Sequence, residues 1–175
     1  MLKTLGIIIA VLIVGILAFA ATKPDTFSVQ RSTSIKAPPD KVFALINDFK
    51  AWGAWSPWEK KDPAMKRTFG AITVGKGAHY TWDGDKNVGQ GSMEITESVP
   101  SSKLALKLDF LKPFEAHNFV EFTLAAQSDT TNVTWTMHGP ANFMSKLMQV
   151  FMSMDSMVGK DFESGLANLK AAAEK

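Results

Sequence analysis

The side chains in this sequence with the greatest capacity for chemistry are three histidines and the acids Asp83 and Glu94. His79, His117 and His138 fall in separate strand-like segments, and no two of them have the spacing with which one element binds a metal ion. Asp83 and Glu94 could transfer protons, although solvated charge is the ordinary role of acids on strands. The sequence therefore predicts neither a metal site nor a catalytic residue.

Motifs for covalent catalysis and cofactor binding are also missing. The sequence has no G-x-S-x-G nucleophile elbow and no G-x-G-x-x-G dinucleotide loop, so we expect no cofactor. It has no cysteine, which excludes disulfides, thiolate catalysis and cysteine-ligated metals. Its 19 Lys and Arg are scattered and nearly balanced by 17 Asp and Glu, so nucleic-acid binding is not expected.

The elements that would position a site follow an apolar N-terminal segment. Leu5 to Thr22 carries no charge, and a helix of that length spans about 27 Å, close to the thickness of a hydrocarbon core. We predict that residues 1–22 form a transmembrane anchor, residues 23–25 a linker and residues 26–175 one globular domain. The chain would then be a single-pass membrane protein.

The alternative for this segment is a cleaved signal peptide. Ala18-Phe19-Ala20 has the small-x-small pattern of a processing site, but the apolar run exceeds the usual length of a signal peptide. We therefore predict retention of residues 1–22. Lys3 before the apolar run favours a cytoplasmic N-terminus and a domain outside the cytoplasm, whereas Lys23 after the run leaves the opposite orientation as the alternative.

Beyond the anchor, apolar and polar residues alternate with the period of half-buried strands. The clearest case runs from Lys103 to Phe110, where Leu104, Leu106, Leu108 and Phe110 share one face. The segments predicted as strands are 26–36, 64–69, 77–82, 88–98, 103–110, 115–125 and 132–138. A short helix is predicted after the first of them, because Pro38 and Pro39 followed by an acid suit a first helical turn.

The C-terminal segment, about residues 142–172, predicts a long amphipathic helix. Its apolar residues recur every three or four positions, as on one face of a helix that packs on a broad partner surface. One long helix and two helices in line both fit the pattern. In the second case Gly159 would interrupt the helix and Asp161 would restart it. Four methionines lie on or beside the apolar face: Met148, Met152, Met154 and Met157.

Three of the five tryptophans, Trp52, Trp55 and Trp58, lie in one short segment with Gly and Pro between them. Pro57 predicts a turn or extended segment there. Indoles beside an irregular loop commonly form a satellite core, and the alternative is an aromatic rim at the mouth of a pocket. Both interpretations place these side chains beside the predicted sheet.

Five short segments, in order, resemble the polyketide cyclase/dehydrase-like branch of the START-like (SRPBCC) superfamily. They are A-P-P-D-K-V-F-A-L-I-N-D, W-x-x-W-S-P-W, G-Q-G-S-M-E-I-T-E-S, V-T-W-T-M and M-V-G-K-D-F-E-S-G-L-A-N-L-K. The resemblance covers residues 26–175. It implies an α+β helix-grip fold, in which a curved antiparallel sheet of about six to seven strands surrounds a long C-terminal helix. It also implies an apolar cavity between them that binds hydrophobic small molecules or lipids.

Three functions are compatible with this resemblance. The first is a membrane-held binder of an apolar small molecule or lipid, without catalysis. The second is an enzyme that acts on a polyketide-like aromatic substrate, with Glu94 or Asp83 moving protons. The third is a protein-interaction module, as in the related activators of chaperone ATPases. Family members that carry out cyclisation are soluble, so the membrane segment favours the binder.

The predicted site lies between the sheet and the C-terminal helix. The residues expected to face that helix are Leu104, Leu106, Leu108, Phe122, Leu124, Val133 and Trp135. The predicted cavity lining is Trp58, Tyr80, Trp82, Met93, Phe110, Phe122, Trp135, Met148 and Met154. Arg31 either lies at the end of its strand with its guanidinium in solvent or reaches inward to hold an acidic head group.

Overall fold

A computed structural model describes residues 2–175 of the chain. An N-terminal apolar helix precedes an α+β domain of seven strands. Short helices follow the first strand of this domain, and two helices follow the last strand. The helices are α1 (Leu2–Ala21), α2 (Pro39–Asn47), α3 (Trp58–Lys61), α4 (Phe143–Phe151) and α5 (Met154–Ala173), with a 3₁₀ helix at Phe49–Ala54. The strands are β1 (Thr26–Ile35), β2 (Lys66–Phe69), β3 (His79–Asp83), β4 (Gln90–Val99), β5 (Lys103–Lys112), β6 (Ala116–Gln127) and β7 (Thr130–Pro140).

The seven strands form one antiparallel sheet in the order β1-β7-β6-β5-β4-β3-β2. Strands β2 to β7 pair with their neighbours in the chain, whereas β1 crosses the fold to pair with β7. Each predicted strand is present, with ends that differ by a few residues. The alternation in the sequence places one set of side chains against the helices and the other in solvent.

The inner face of the sheet carries the core, which α5 and α2 cover over β1, β6 and β7. Six of the seven residues predicted to face the C-terminal helix are buried, and Leu108 is half-buried. Phe162 of α5 stacks on Trp135 of β7, with ring centroids 4.2 Å apart and planes 9° apart. The helix-grip fold predicted from the sequence is therefore confirmed.

The C-terminal segment forms two helices, and the break lies between Phe151 and Met154. The Ser153 side chain caps α5 by accepting a hydrogen bond from the Ser156 backbone N–H. The alternative break at Gly159 and Asp161 is wrong, because both residues lie inside α5. Gly159 is buried there, and a Cβ at this position would contact the Arg31 guanidinium.

Helix α1 ends beside the start of α4. The Ala141 backbone N–H donates to the Asp25 carbonyl at 2.7 Å, and Lys146 of α4 forms an ion pair with the Asp25 carboxylate. This ion pair lowers the pKa of Asp25. Ala20 is fully buried and Ile16 is half-buried, whereas most of α1 is exposed. The end of the apolar helix is therefore fastened to the domain at one end of the sheet.

Candidate functional site

The inner face of the sheet has one end that the helices leave partly uncovered. At this end β3, β5 and β7 finish and β4, β6 and β1 begin. Phe27, Leu108 and Phe110 on the sheet are only half-buried there, as are Met154 and Val158 in the first turns of α5. We call this set of five residues the open end. It is an apolar surface that the protein does not fully close.

Two rows of inner-face residues cross the sheet at the open end. Tyr80 is paired with Met93, Met93 with Leu108, and Leu108 with Asn118. The second row has Trp82 paired with Gly91 and Gly91 with Phe110. A Cβ on residue 91 would collide with the Trp82 indole, so glycine here lets that ring lie flat across β4. The Trp82 and Phe110 rings meet edge to face at 5.6 Å.

A second aromatic cluster lies deeper, under α5, with Trp135 at its centre. The ring of Trp135 lies 4.9 Å from Phe122, 5.6 Å from Trp55 and 5.8 Å from Trp58. Trp135 is only 2% exposed, and its indole N–H has no acceptor among the described residues. A buried N–H without a partner is unusual in a folded protein.

Unlike Trp135, the other buried indoles donate hydrogen bonds to backbone carbonyls. The Trp52 Nε1–H donates to the Ile46 carbonyl and the Trp55 Nε1–H to the Leu45 carbonyl, both at 2.9 Å. The Trp82 Nε1–H donates to the Val88 carbonyl at 3.1 Å. These three hydrogen bonds fix their rings to the loops and helices of the fold. Trp135 is held by ring packing alone.

The structure divides the predicted lining into two clusters and leaves two residues outside both. Trp58, Phe122 and Trp135 meet under α5, and Met154 is half-buried at the start of that helix. The residues Tyr80, Trp82, Met93 and Phe110 lie together on β3, β4 and β5. Met148 lies on α4, 37% exposed and outside the core, and Arg31 is at the edge of the sheet.

Arg31 is held at the surface. Its guanidinium donates to Asp155 and to Glu163, each at 2.7 Å, and both acids are on the exposed side of α5. The hydrogen bond from Arg31 lowers the pKa of Asp155, and the two acids raise the pKa of Arg31. Arg31 lies in the middle of β1, which is an edge strand of the sheet, and not at the strand end expected from the sequence.

A polar group beside the open end was not predicted from the sequence. The Glu59 carboxylate accepts from the Arg67 guanidinium at 2.6 Å and from the Tyr80 hydroxyl at 3.3 Å. Burial, followed by the negative charge of Glu59, raises the pKa of Tyr80, so the phenol stays protonated. Glu59 and Arg67 lie on the short elements α3 and β2, whose sequences have no clear periodicity.

Asn118 was also missed, although the sequence carried a signal for it. It is 5% exposed and stands on the inner face of β6 in line with Val120, Phe122 and Leu124. A single amide on an otherwise apolar strand face indicates a polar contact inside the protein. Its place opposite Leu108 puts that amide at the open end.

The acids and histidines considered for chemistry do not converge. Asp83 and Glu94 are exposed on the outer face of the sheet. His117 is exposed, and its hydrogen bond to Asp109 at 2.7 Å raises its pKa. Within residues 2–175, no group of three His, Asp or Glu side chains is arranged to hold a metal ion.

Two shallow concavities lie mainly on the outer face of the sheet, and the first of them reaches Phe27 of the open end. One, of about 620 Å³, is lined by residues of β1, β6 and β7, including Phe119 and His138. The other, of about 420 Å³, is lined by residues of β2, β3 and β4, including His79 and Thr81. Between the sheet and α5 the aromatic rings pack against one another, so a ligand there would have to displace side chains.

These features define a class of protein: a helix-grip domain in which a curved antiparallel sheet holds a C-terminal helix over an aromatic interior. The chain belongs to the family described as polyketide cyclase/dehydrase and lipid transport, which matches residues 26–174. A comparison with curated proteins finds no significant match.

Solved structures share the fold at low sequence identity. A protein from Thermobifida fusca has a TM-score of 0.63 at 21% identity, covering 83% of this chain and 92% of its own. A protein from Chromobacterium violaceum has a TM-score of 0.60 at 16% identity, covering 87% of this chain and 99% of its own. The Aha1 dimer from Colwellia psychrerythraea has a TM-score of 0.57 at 16% identity, covering 85% and 96%. At these identities the likeness shows the fold alone.

Proposed function

We propose that this protein is a membrane-anchored binder of a hydrophobic small molecule or lipid, which it holds between the inner face of the sheet and α5. Residues 1–22 form the anchor, residues 23–25 the linker and residues 26–175 the binding domain. The protein crosses the membrane once, and the domain lies outside the cytoplasm. The description of the family includes lipid transport, which supports a ligand of this class.

The observation that carries this proposal is the open end. A domain with no ligand gains free energy by burying apolar side chains, at about 25 cal/mol per Å². Phe27, Leu108 and Phe110 are nevertheless only half-buried, although they share an inner face with fully buried residues. An apolar molecule lying along this face would complete their burial.

The ligand reaches the interior by displacing the first turns of α5. Met154 and Val158 are half-buried, whereas Phe162, Leu166 and Leu169 further along α5 are buried. The unbranched Met154 side chain changes shape at low energetic cost. A ligand that moves inward past it meets the unpaired indole N–H of Trp135, which would donate to an oxygen atom of the ligand.

The anchor is supported by the length and composition of α1, which has 20 residues and is apolar enough to cross a bilayer. A cleaved signal sequence has the same properties. Retention is supported by the contacts of its end, since Ala20 is buried and α1 is in contact with α4. Cleavage after Ala20 would expose the surface of the domain that the end of α1 covers.

The enzyme alternative required Asp83 or Glu94 to transfer protons beside the ligand. Asp83 and Glu94 lie exposed on the outer face, on the side of the sheet opposite the aromatic clusters. The half-buried Glu59 carboxylate accepts hydrogen bonds from Arg67 and Tyr80. A binding function needs no proton-transfer group at the open end.

The test uses adjacent positions on opposite faces of β5. Leu108 is one of the residues of the open end, and Lys107 is exposed on the outer face. Purified full-length protein in detergent is titrated with a brominated fatty acid and a brominated quinone while tryptophan emission is followed. We expect saturable quenching that Lys107→Trp retains and Leu108→Trp loses, because the new indole at position 108 occupies the ligand position. Equal quenching in both variants, or quenching that never saturates, would contradict the proposal.

A further inference from the structure

Helix α4 has its apolar side turned away from the protein. Phe143, Met144, Met148 and Phe151 are 51%, 49%, 37% and 74% exposed. At 100° per residue these four side chains lie on one side of the helix. A surface helix of a water-soluble domain normally buries this side and exposes its polar one, so α4 is oriented the opposite way.

The polar side of α4 faces the protein. Ser145, Lys146 and Gln149 are half-buried, although they are the most polar residues of the helix, and of its apolar residues only Leu147 and Val150 are half-buried as well. Lys146 is the only charged residue in α4, and it forms an ion pair with Asp25. The side-chain nitrogen of Gln149 is enclosed without an acceptor among the described residues. Nothing charged therefore lies on the exposed side of this helix.

The neighbour of α4 is the apolar helix α1, with which it is in contact. The bond between Ala141 and Asp25 holds the start of α4 at the point where α1 ends. The exposed side of α4 is thus continuous with the apolar surface of α1. At the same end of the sheet, Leu111 and Phe114 at the β5–β6 turn are 55% and 56% exposed.

We propose that α4 is a second membrane element, which lies in the lipid interface beside α1 with Phe143, Met144, Met148 and Phe151 among the acyl chains. An amphipathic helix in this position buries its apolar side about 5–10 Å into the boundary between headgroups and chains. The inference rests on the membrane anchor of the proposed function and is independent of ligand binding. Its consequence is that the open end of the sheet faces the bilayer surface.

The protein has no cysteine, so single cysteines can be introduced and labelled without removing others. Met148→Cys and Phe151→Cys report on α4, Leu12→Cys reports on α1, and Asp129→Cys in the β6–β7 turn reports on the far end of the sheet. Each full-length variant carries an NBD fluorophore and is reconstituted into phosphatidylcholine vesicles, with or without brominated acyl chains. Quenching by bromine measures contact with lipid, and reduction by external dithionite measures contact with water.

We expect brominated lipid to quench the labels at positions 12, 148 and 151 and to leave the label at position 129 unchanged. Quenching at position 12 together with dithionite reduction at 148 and 151 would overturn the inference and leave the anchor intact. Labels at 148 and 151 that resist both reagents would also overturn it, because a second copy or another protein would then cover α4. A label at position 12 that lipid does not quench would refute both the anchor and the role of α4. It would not affect the ligand-binding part of the proposed function, which the titration tests separately.

Discussion

Close approach between α5 and the sheet depends on single glycines. A Cβ on Gly165 would lie 2.8 Å from the Trp135 ring and 3.1 Å from Cδ of Pro57. Both neighbours are rigid rings, so neither can move aside as a flexible side chain would. The helix is held this close by the stacking of Phe162 on Trp135. The residue type at position 165 therefore sets how tightly α5 packs on the aromatic cluster.

Gly165→Ala is expected to destabilise the domain. Alanine is the better helix former by about 1 kcal/mol, but inserting a carbon into a packed interior costs about 1–3 kcal/mol. We expect a net loss on the order of 1 kcal/mol in the free energy of unfolding. The measurement is chemical denaturation of the full-length protein in detergent, followed by tryptophan emission.

The matched control is Ser164→Ala, at an exposed position of the same helix. Its effect should stay within about 0.5 kcal/mol, as for most surface substitutions. A Gly165→Ala protein as stable as the parent would mean that α5 moves away from Trp135 without loss.

At the scale of elements, the decisive feature is the division of the C-terminal segment into α4 and α5. Each helix has its own cap: Asn142 accepts from the Ser145 N–H at 2.8 Å, and Ser153 accepts from the Ser156 N–H at 3.1 Å. The two helices then pack on different partners, α4 on α1 and α5 on β1 and α2. Because the helix breaks at Ser153, the two halves of the apolar C-terminal segment can pack on different parts of the protein.

Removing the cap of α5 should loosen the part of the helix that covers the open end. Loss of an N-cap costs about 1 kcal/mol, so we expect Ser153→Ala to reduce the free energy of unfolding by about this amount. Hydrogen exchange should become faster in the first turn of α5 before the rest of the helix changes. Ser153→Asp, which can also cap, should restore both properties, and a failure to do so would show that capping is not the cause.

Periodicity predicted the elements whose two faces meet different surroundings. Leu104, Leu106 and Phe122 alternate with polar residues, because one side of their strands meets the core and the other meets water. The order of the segments and the resemblance to a known family then predicted the fold. Both the alternation and the family segments are local properties of the sequence.

Contacts made by irregular elements could not be predicted in this way. Glu59, Arg67 and Tyr80 meet because α3 lies next to the paired strands β2 and β3, and no repeat in the sequence records that proximity. The sequence predicted a helix break at Gly159 because glycine is a poor helix former. The break instead lies before Met154, where the Ser153 side chain caps the start of α5. The surface position of Arg31 depends on two acids of α5 that are more than 120 residues away.

At the scale of the whole molecule, α1 and the domain are joined by more than their linker. Asp25 bonds to Ala141 through the backbone and to Lys146 through its side chain, and Ala20 is buried beside them. These contacts restrict how α1 is tilted relative to the sheet. Under the proposed function, these contacts set which side of the domain faces the bilayer.

Leu12→Lys should prevent stable insertion of the chain. Leu12 lies at the centre of α1, where a lysine costs about 2.5–3.5 kcal/mol. Leu2→Lys, at the start of the same helix, should have little effect because its side chain can reach the headgroups. Alkaline carbonate extraction of membranes should release the first variant and leave the parent and the second variant in the pellet.

Equal extraction of the two lysine variants would contradict a membrane-spanning α1. Intact-mass measurement of the purified protein provides a separate check on cleavage, since a mature chain that starts at Ala21 would contradict retention.

The two termini of the domain lie at opposite ends of β1. Glu174 accepts a hydrogen bond from the Lys36 backbone N–H at 2.7 Å, just beyond the end of the strand that α1 enters at Thr26. Ten strand residues extend about 30 Å, so a fluorescent protein or affinity tag fused after Lys175 starts at the end of the sheet remote from α1. Immobilising the protein through such a tag would present α1, α4 and the open end to added vesicles, an orientation suited to measuring lipid exchange on a sensor surface.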